Sequence, residues 1–242
     1  MTAEHIVPDS EYKHRYRIGD NMLHTIASRL FNLEISEQQR QQWQTVFSVM
    51  FNLDMILDSE ESPETRLKAY DKAINFMVTG EADSSIDPNV ITSLVELRQV
   101  MIHDGRDKLE EFATHAHTIA LLGERSRQAS NIESLGLVAL AEGRVTSRFV
   151  TIPPEHAADQ DVTEFNDYLT LLTTYANSMD TLFDMKSDAA NGLVEFNPSI
   201  RDHWKLIKMQ LPSIITLMKR LDVSTFLKLS HITLQTFADR KK

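Results

Sequence analysis

The chain contains no cysteine, so it can form neither a disulfide framework nor a cysteine-ligated zinc or iron–sulfur centre, and a thiol nucleophile is excluded. Glycine and proline are scarce, seven of each in 242 residues, and act as punctuation rather than as loop filler. Long apolar runs are missing too. The longest, residues 135–141, falls far short of a bilayer span, and the polar residues 1–17 do not read as a secretory signal. Basic residues are outnumbered, 25 Lys and Arg against 35 Asp and Glu, a net charge of -10 that suits neither nucleic acid nor an anionic membrane. No Gly-x4-Gly-Lys loop, Gly-x-Gly-x-x-Gly turn or Gly-x-Ser-x-Gly elbow occurs. These absences leave a globular protein of a reducing compartment, expected in the cytoplasm, with 42% apolar residues to build one sizeable core.

Apolar residues recur at spacings of three and four, and no stretch alternates long enough to make a strand, so the expected fold class is all-α. Helices are expected near 20–33, 36–58, 63–79, 88–103, 105–127, 130–150, 161–190, 198–221 and 223–240. Ser62-Pro63, Asp87-Pro88 and Asn197-Pro198 each place a capping side chain before a proline, and Ser36 with Gln39 reads as a capping box. Pro212 is expected to kink the eighth helix. Connections are short, the loosest being 80–85 and 151–160, so residues 20–242 form one domain behind an N-terminal arm of residues 1–19. A homodimer is the default expectation for the oligomeric state.

Two acidic clusters stand against apolar stripes. The first is Asn52-Leu53-Asp54-Met55-Ile56-Leu57-Asp58, followed by Glu60 and Glu61; the second runs through Asn177, Asp180, Asp184 and Asp188. Spacing by four puts each set on one strip of its helix. Eighteen aspartates would give roughly one such pair by chance, so spacing alone decides nothing. The surroundings carry the argument. At about 100° per residue, Trp43, Val46, Phe47, Met50, Leu53 and Leu57 share an apolar arc that contains Asp54, with Asp58 at its edge. Phe165, Leu169, Leu172, Ala176, Met179 and Phe183 form a second stripe, flanked by Asp180, Asp184 and Asp188. Carboxylates facing a core are costly unless neutralised. Mg²⁺ is a natural remedy, because it takes a few carboxylates and fills its remaining positions with water and phosphate oxygens. Such strips above Phe, Met and Leu would hold a metal–diphosphate head over a greasy pocket. The competing reading makes the acids the wet faces of two helices, or pairs them with Lys and Arg.

With these residues the chain resembles class I terpenoid synthases, nearest to the squalene/phytoene synthase type. Asp54 and Asp58 match the first acidic motif of that family, and Asp180, Asp184 and Asp188 match the second. Gly192 and Asn197-Pro198 follow as the family has a Gly and then a Pro. The first motif lacks a doubled aspartate, and Phe183 stands where a basic residue often precedes the second motif's aspartate. Ala141-Glu142-Gly143-Arg144-Val145 is similar to the glycine-containing helix break that shapes the family's active site. The resemblance implies an all-α bundle around a central apolar cavity. It also implies Mg²⁺ held by Asp54, Asp58, Asp180, Asp184 and Asp188, and a prenyl diphosphate substrate (farnesyl or geranylgeranyl). Pyrophosphate would leave, and the carbocation would be steered to a cyclised or coupled product. Arg144 and Arg148 are the first candidates to clamp the diphosphate, with Lys186, Arg201 and Lys205 behind them. Phe47, Phe51, Trp43, Tyr175 and Phe183 are candidates to face the cation, or are plain core.

Two other functions stay open at this point. An all-α nucleotide pyrophosphohydrolase also holds Mg²⁺ with acids on helices, and a non-catalytic helical binding protein needs no metal. His103-Asp104, the dipeptide of a metal-dependent phosphohydrolase family, reads better as a helix end, since Gly105 follows it.

Overall fold

Helix boundaries in this chain are set largely by caps that the sequence carries. Ser62 accepts a hydrogen bond from the Thr65 amide (3.3 Å) with Pro63 in the first turn, and Gly80, at φ 79, closes the same helix by donating to Phe76 O. Asp87 accepts from the Asn89 amide at 2.7 Å ahead of the next helix, and Ser36 accepts from the Gln39 amide at 3.1 Å. The computed structural model describes residues 9–57, 62–81, 83–101, 106–151, 160–191, 194–221 and 224–225, with side chains for all of these except 9–18, 106–107 and 160.

Eight helices follow in order: α1 (Asp9–Leu30), α2 (Glu37–Leu57), α3 (Pro63–Thr79), α4 (Pro88–Met101), α5 (Arg106–Arg127), α6 (Ile132–Arg148), α7 (Gln160–Ala190) and α8 (Ile200–Arg220). No strand occurs among the described residues, so the chain is all-α, and no helix among them is long and apolar enough to cross a membrane. The ninth expected helix, 223–240, lies outside the described residues except for 224–225. Two details differ from expectation. α1 begins at Asp9, well inside the stretch expected as an arm, because its polar first turns hide the apolar period. α8 is capped by Ser199 rather than Asn197, since Ser199 and Asp202 form a reciprocal capping box. Pro212 lies within α8, on its exposed side.

The main core gathers Trp43, Tyr70, Ile74, Met77, Leu94, Leu97 and Phe165, all fully buried. A smaller cluster of Ala129, Ile132, Leu135, Met185, Val194 and Leu206 joins α6, α7 and α8. Long-range contacts fix the direction of the helices. At one end, Trp43 at the start of α2 donates from Nε1 to Val150 O (2.9 Å) just past α6, and its ring lies 6.3 Å from Phe165 near the start of α7. At the other end, Arg127 of α5 donates to Leu57 O (2.7 Å) at the end of α2, and the Glu195 amide just past α7 bonds to Ala129 O. Hence α2 and α7 run in the same sense, α6 runs against both, and the last turns of α2 and α7 meet the same end of the bundle.

Candidate functional site

The topology brings both acidic strips to that end, since Asp54 lies on the last two turns of α2 and Asp180, Asp184 and Asp188 lie on the second half of α7. Asp58, Glu60, Glu61 and Gly192 lie outside the described residues. Asp54 is exposed, not part of the buried arc, which consists of Trp43, Val46, Val49, Leu53 and Leu57. It nevertheless sits close enough to α3 to act on Tyr70. That hydroxyl is buried without a hydrogen-bond partner and is raised above an ordinary phenol, first by burial and then by the negative charge of Asp54.

The stripe on α7 also turns out differently. Phe165 and Leu169 are buried as expected, but beyond them the buried positions are Thr174, Ser178 and Met185, while Ala176 is exposed and Phe183 is 62% exposed. The hydroxyls can go inside because each bonds back to its own helix: Thr174 Oγ1 donates to Thr170 O (2.6 Å) and Ser178 Oγ to Thr174 O (2.9 Å). Asp180 and Asp184 therefore share an exposed face with Phe183, and Asp188 is half-buried.

Small residues explain why α7 turns this side to α6. A Cβ built on Gly143 would lie 2.3 Å from Thr174 Cα and 2.7 Å from Thr174 N. Thr173 Oγ1 donates across the seam to Gly143 O at 2.7 Å, and Thr170 Oγ1 to Ser147 Oγ at 3.2 Å. Gly143 marks a close crossing, and α6 runs through it unbroken, so the expected helix break is absent. Arg144 and Arg148 are exposed, about 100–140° round α6 from Gly143 and turned from the α7 contact. Lys186 is exposed and about 200° round α7 from Asp184. Lys205 is engaged with Glu133 at 2.7 Å, and Arg201 is exposed on α8. Phe47 packs on α1, where a Cβ on Gly19 would fall 2.7 Å from its ring. Phe51 and Tyr175 are half-buried, and Trp43 belongs to the core. A surface cleft between α3 and α4 is lined by Phe76, Gly80, Val95, Arg98 and Gln99, and no acidic candidate lines it.

The residue that sequence reasoning missed is Glu142. It is half-buried on α6, and its carboxyl is pushed up to about 7 by burial and then by the charge of Asp180. Its signal was its place beside Gly143, where α7 comes closest. The sign of the linkage is unfavourable at neutral pH. A carboxyl whose pKa is higher in the folded state binds more protons there, so stability is full below the ordinary glutamate range and falls as pH rises through about 7. Glu142→Gln is therefore expected to raise thermal stability by about 2–3 kcal/mol near pH 8, with the gain vanishing toward pH 4. Thermal unfolding of both proteins across that range checks it.

Among the described residues no three His, Asp or Glu side chains converge closely enough to hold a metal ion by themselves. Mg²⁺ asks for less, one or two carboxylates with water and phosphate oxygens in the other positions, and Glu142 lies within electrostatic reach of Asp180. Comparison of the chain with protein-family models, with curated proteins and with solved structures gave no match.

Proposed function

We propose that the protein is a Mg²⁺-dependent class I terpenoid synthase-type enzyme that ionises a prenyl diphosphate, farnesyl or geranylgeranyl, and releases pyrophosphate. The observation that carries this reading is that Asp54, on the last turns of α2, and Asp180, Asp184 and Asp188, on the second half of α7, lie toward the same end of the bundle, with the half-buried Glu142 within electrostatic reach of Asp180. A carboxyl with its pKa raised beside a second carboxylate is destabilised as an anion, and a divalent cation removes that penalty. Asp54, Asp184 and Asp188 carry further carboxylates toward the same end of the bundle, oxygen donors of the kind Mg²⁺ prefers, and Asp58 belongs to the same motif. When bound, Mg²⁺ would neutralise the diphosphate as its C–O bond breaks. Phe183 and Met179, on the face that carries Asp180, offer apolar and aromatic surface to the prenyl chain. Arg144, Arg148 and Lys186 have no part in this version of the site.

The first measurement is thermal unfolding with Mg²⁺ and pyrophosphate, together and separately. The expected result is stabilisation by both ligands together, greater at pH 8 than at pH 5, because Glu142 is charged only at the higher pH. Turnover of farnesyl or geranylgeranyl diphosphate with Mg²⁺ should then fall by about a thousandfold in Asp54→Ala and in Asp184→Ala, with helicity unchanged. Activity that survives both changes refutes the assignment. The participation of a glutamate favours one second reading, a nucleotide pyrophosphohydrolase. Hydrolysis of nucleoside triphosphates without prenyl diphosphate turnover would select it, and no ligand-induced stabilisation at all would select a binding protein.

A further inference from the structure

Helix α8 carries its apolar side outward. Its buried positions are Leu206, Gln210 and Leu217, and both amide atoms of Gln210 are buried with no hydrogen-bond partner. About 130° round the helix from this arc lie Ile200, Trp204, Leu211, Ile215 and Met218, which are 43–75% exposed and fall within about 60° of one another on the helical wheel. They make up half of the large exposed apolar side chains among the described residues. A core helix would have the opposite arrangement, with leucine where Gln210 is and lysine or glutamate where Trp204 and Ile215 are.

The charge of this region is also the reverse of the rest. Residues 200–242 contain nine Lys and Arg against three Asp, a net charge of +6, so the preceding 199 residues carry -16 of the total -10. On α8 itself, Arg201, Lys208 and Lys219 are exposed along one edge of the apolar strip, while Lys205 and Arg220 are engaged with Glu133 and Glu164. We infer that α8 docks the protein on an anionic lipid surface, with Ile200, Trp204, Leu211, Ile215 and Met218 seated at the headgroup–acyl boundary and the basic edge against the lipid charges.

Charge decides between occupants. A second copy joined through α8 would bring two helices of net +4 face to face. The chain's own residues 226–242, with four Lys and Arg and one Asp, are basic as well. An anionic bilayer complements both the apolar strip and its basic edge, and tryptophan suits the boundary between headgroups and acyl chains. The whole-chain charge, which argued against such a surface, becomes an orienting device: the acidic body is repelled and α8 attracted. This inference does not depend on the diphosphate reading, and its test contains neither Mg²⁺ nor diphosphate.

The test uses the full chain with vesicles of phosphatidylcholine alone or with about 30% phosphatidylserine, read by co-sedimentation and tryptophan emission. Trp43 is buried and hydrogen-bonded, so a blue shift on vesicle addition reports Trp204. The expected result is partition onto phosphatidylserine vesicles, about tenfold weaker on phosphatidylcholine and lost at high salt. Trp204→Ser with Ile215→Ser should weaken partition by about tenfold or more, and Lys208→Glu with Lys219→Glu by a similar factor, with far-UV circular dichroism unchanged. Absence of partition onto phosphatidylserine vesicles overturns the inference, as does partition that neither variant reduces. A dimer in solution that the Trp204/Ile215 variant dissociates, without vesicle binding, would assign the face to a second copy instead.

Discussion

Gly143→Ala is expected to destabilise the protein by about 3 kcal/mol, which for a chain of this size lowers the melting temperature by about 10 °C. The added methyl would meet Thr174 Cα at 2.3 Å and Thr174 N at 2.7 Å. These are backbone atoms of α7, so no rotamer change relieves the clash and the two helices must part. The same substitution elsewhere isolates the cause. At Gly123, within α5, the nearest atom to a new Cβ is Leu57 Cδ1 at 4.0 Å, so Gly123→Ala should stabilise by about 0.5–1 kcal/mol through helix propensity alone. At Gly136 the neighbours are the ends of Met209 and Leu206 side chains, which can yield, and the effect should be small. Chemical denaturation of the three variants checks the order, and equal effects would remove the seam argument.

Arg66→Ala should cost about 3–5 kcal/mol. Arg66 of α3 and Glu124 of α5 are both buried and joined by two bonds of 2.8 Å, Nε to Oε1 and Nη2 to Oε2. Removing the guanidinium strands a carboxylate in the interior, and that loss exceeds the net contribution of the pair itself. Replacing both residues by leucine should therefore be much milder than Arg66→Ala alone. Equilibrium unfolding of the single and double variants gives the coupling directly. A double variant as unstable as the single one would show that the pair contributes far more than the removal of a stranded charge explains.

The helices were legible in the sequence because caps and apolar periodicity agree along most of its length. Ser62-Pro63 and Gly80 bound α3 where expected, and Ser36 and Asp87 begin their helices. Where two capping groups compete, as Asn197 and Ser199 do before α8, the reciprocal bond to Asp202 decides, and it shows only in three dimensions. The α7 stripe was misjudged for a chemical reason. Thr174 and Ser178 read as polar but satisfy their hydroxyls on their own helix and pack like small apolar groups, which frees Ala176 and Phe183 to face outward. The acidic motifs were visible as spacing, yet Glu142 was not. Its carboxyl is raised first by burial and then by Asp180, and both follow from a seam that Gly143 allows to close. Arg144 and Arg148 are exposed through the same geometry, since a helix that presents Gly143 to its neighbour turns them away from α7.

The hydrogen bond from Trp43 to Val150 O spans 107 residues. A ribosome adding about 5–20 residues per second needs roughly 5–20 s to supply the partner once the tryptophan has been made. Through that interval α2 has its neighbours α1, α3 and α4 to pack on, and its indole has neither its acceptor nor Phe165 beside it. The nascent first half must therefore hold together by the α2–α4 and α3–α5 contacts. The second acidic strip exists only when α7 has emerged, so the proposed site would be among the last features of the molecule to form.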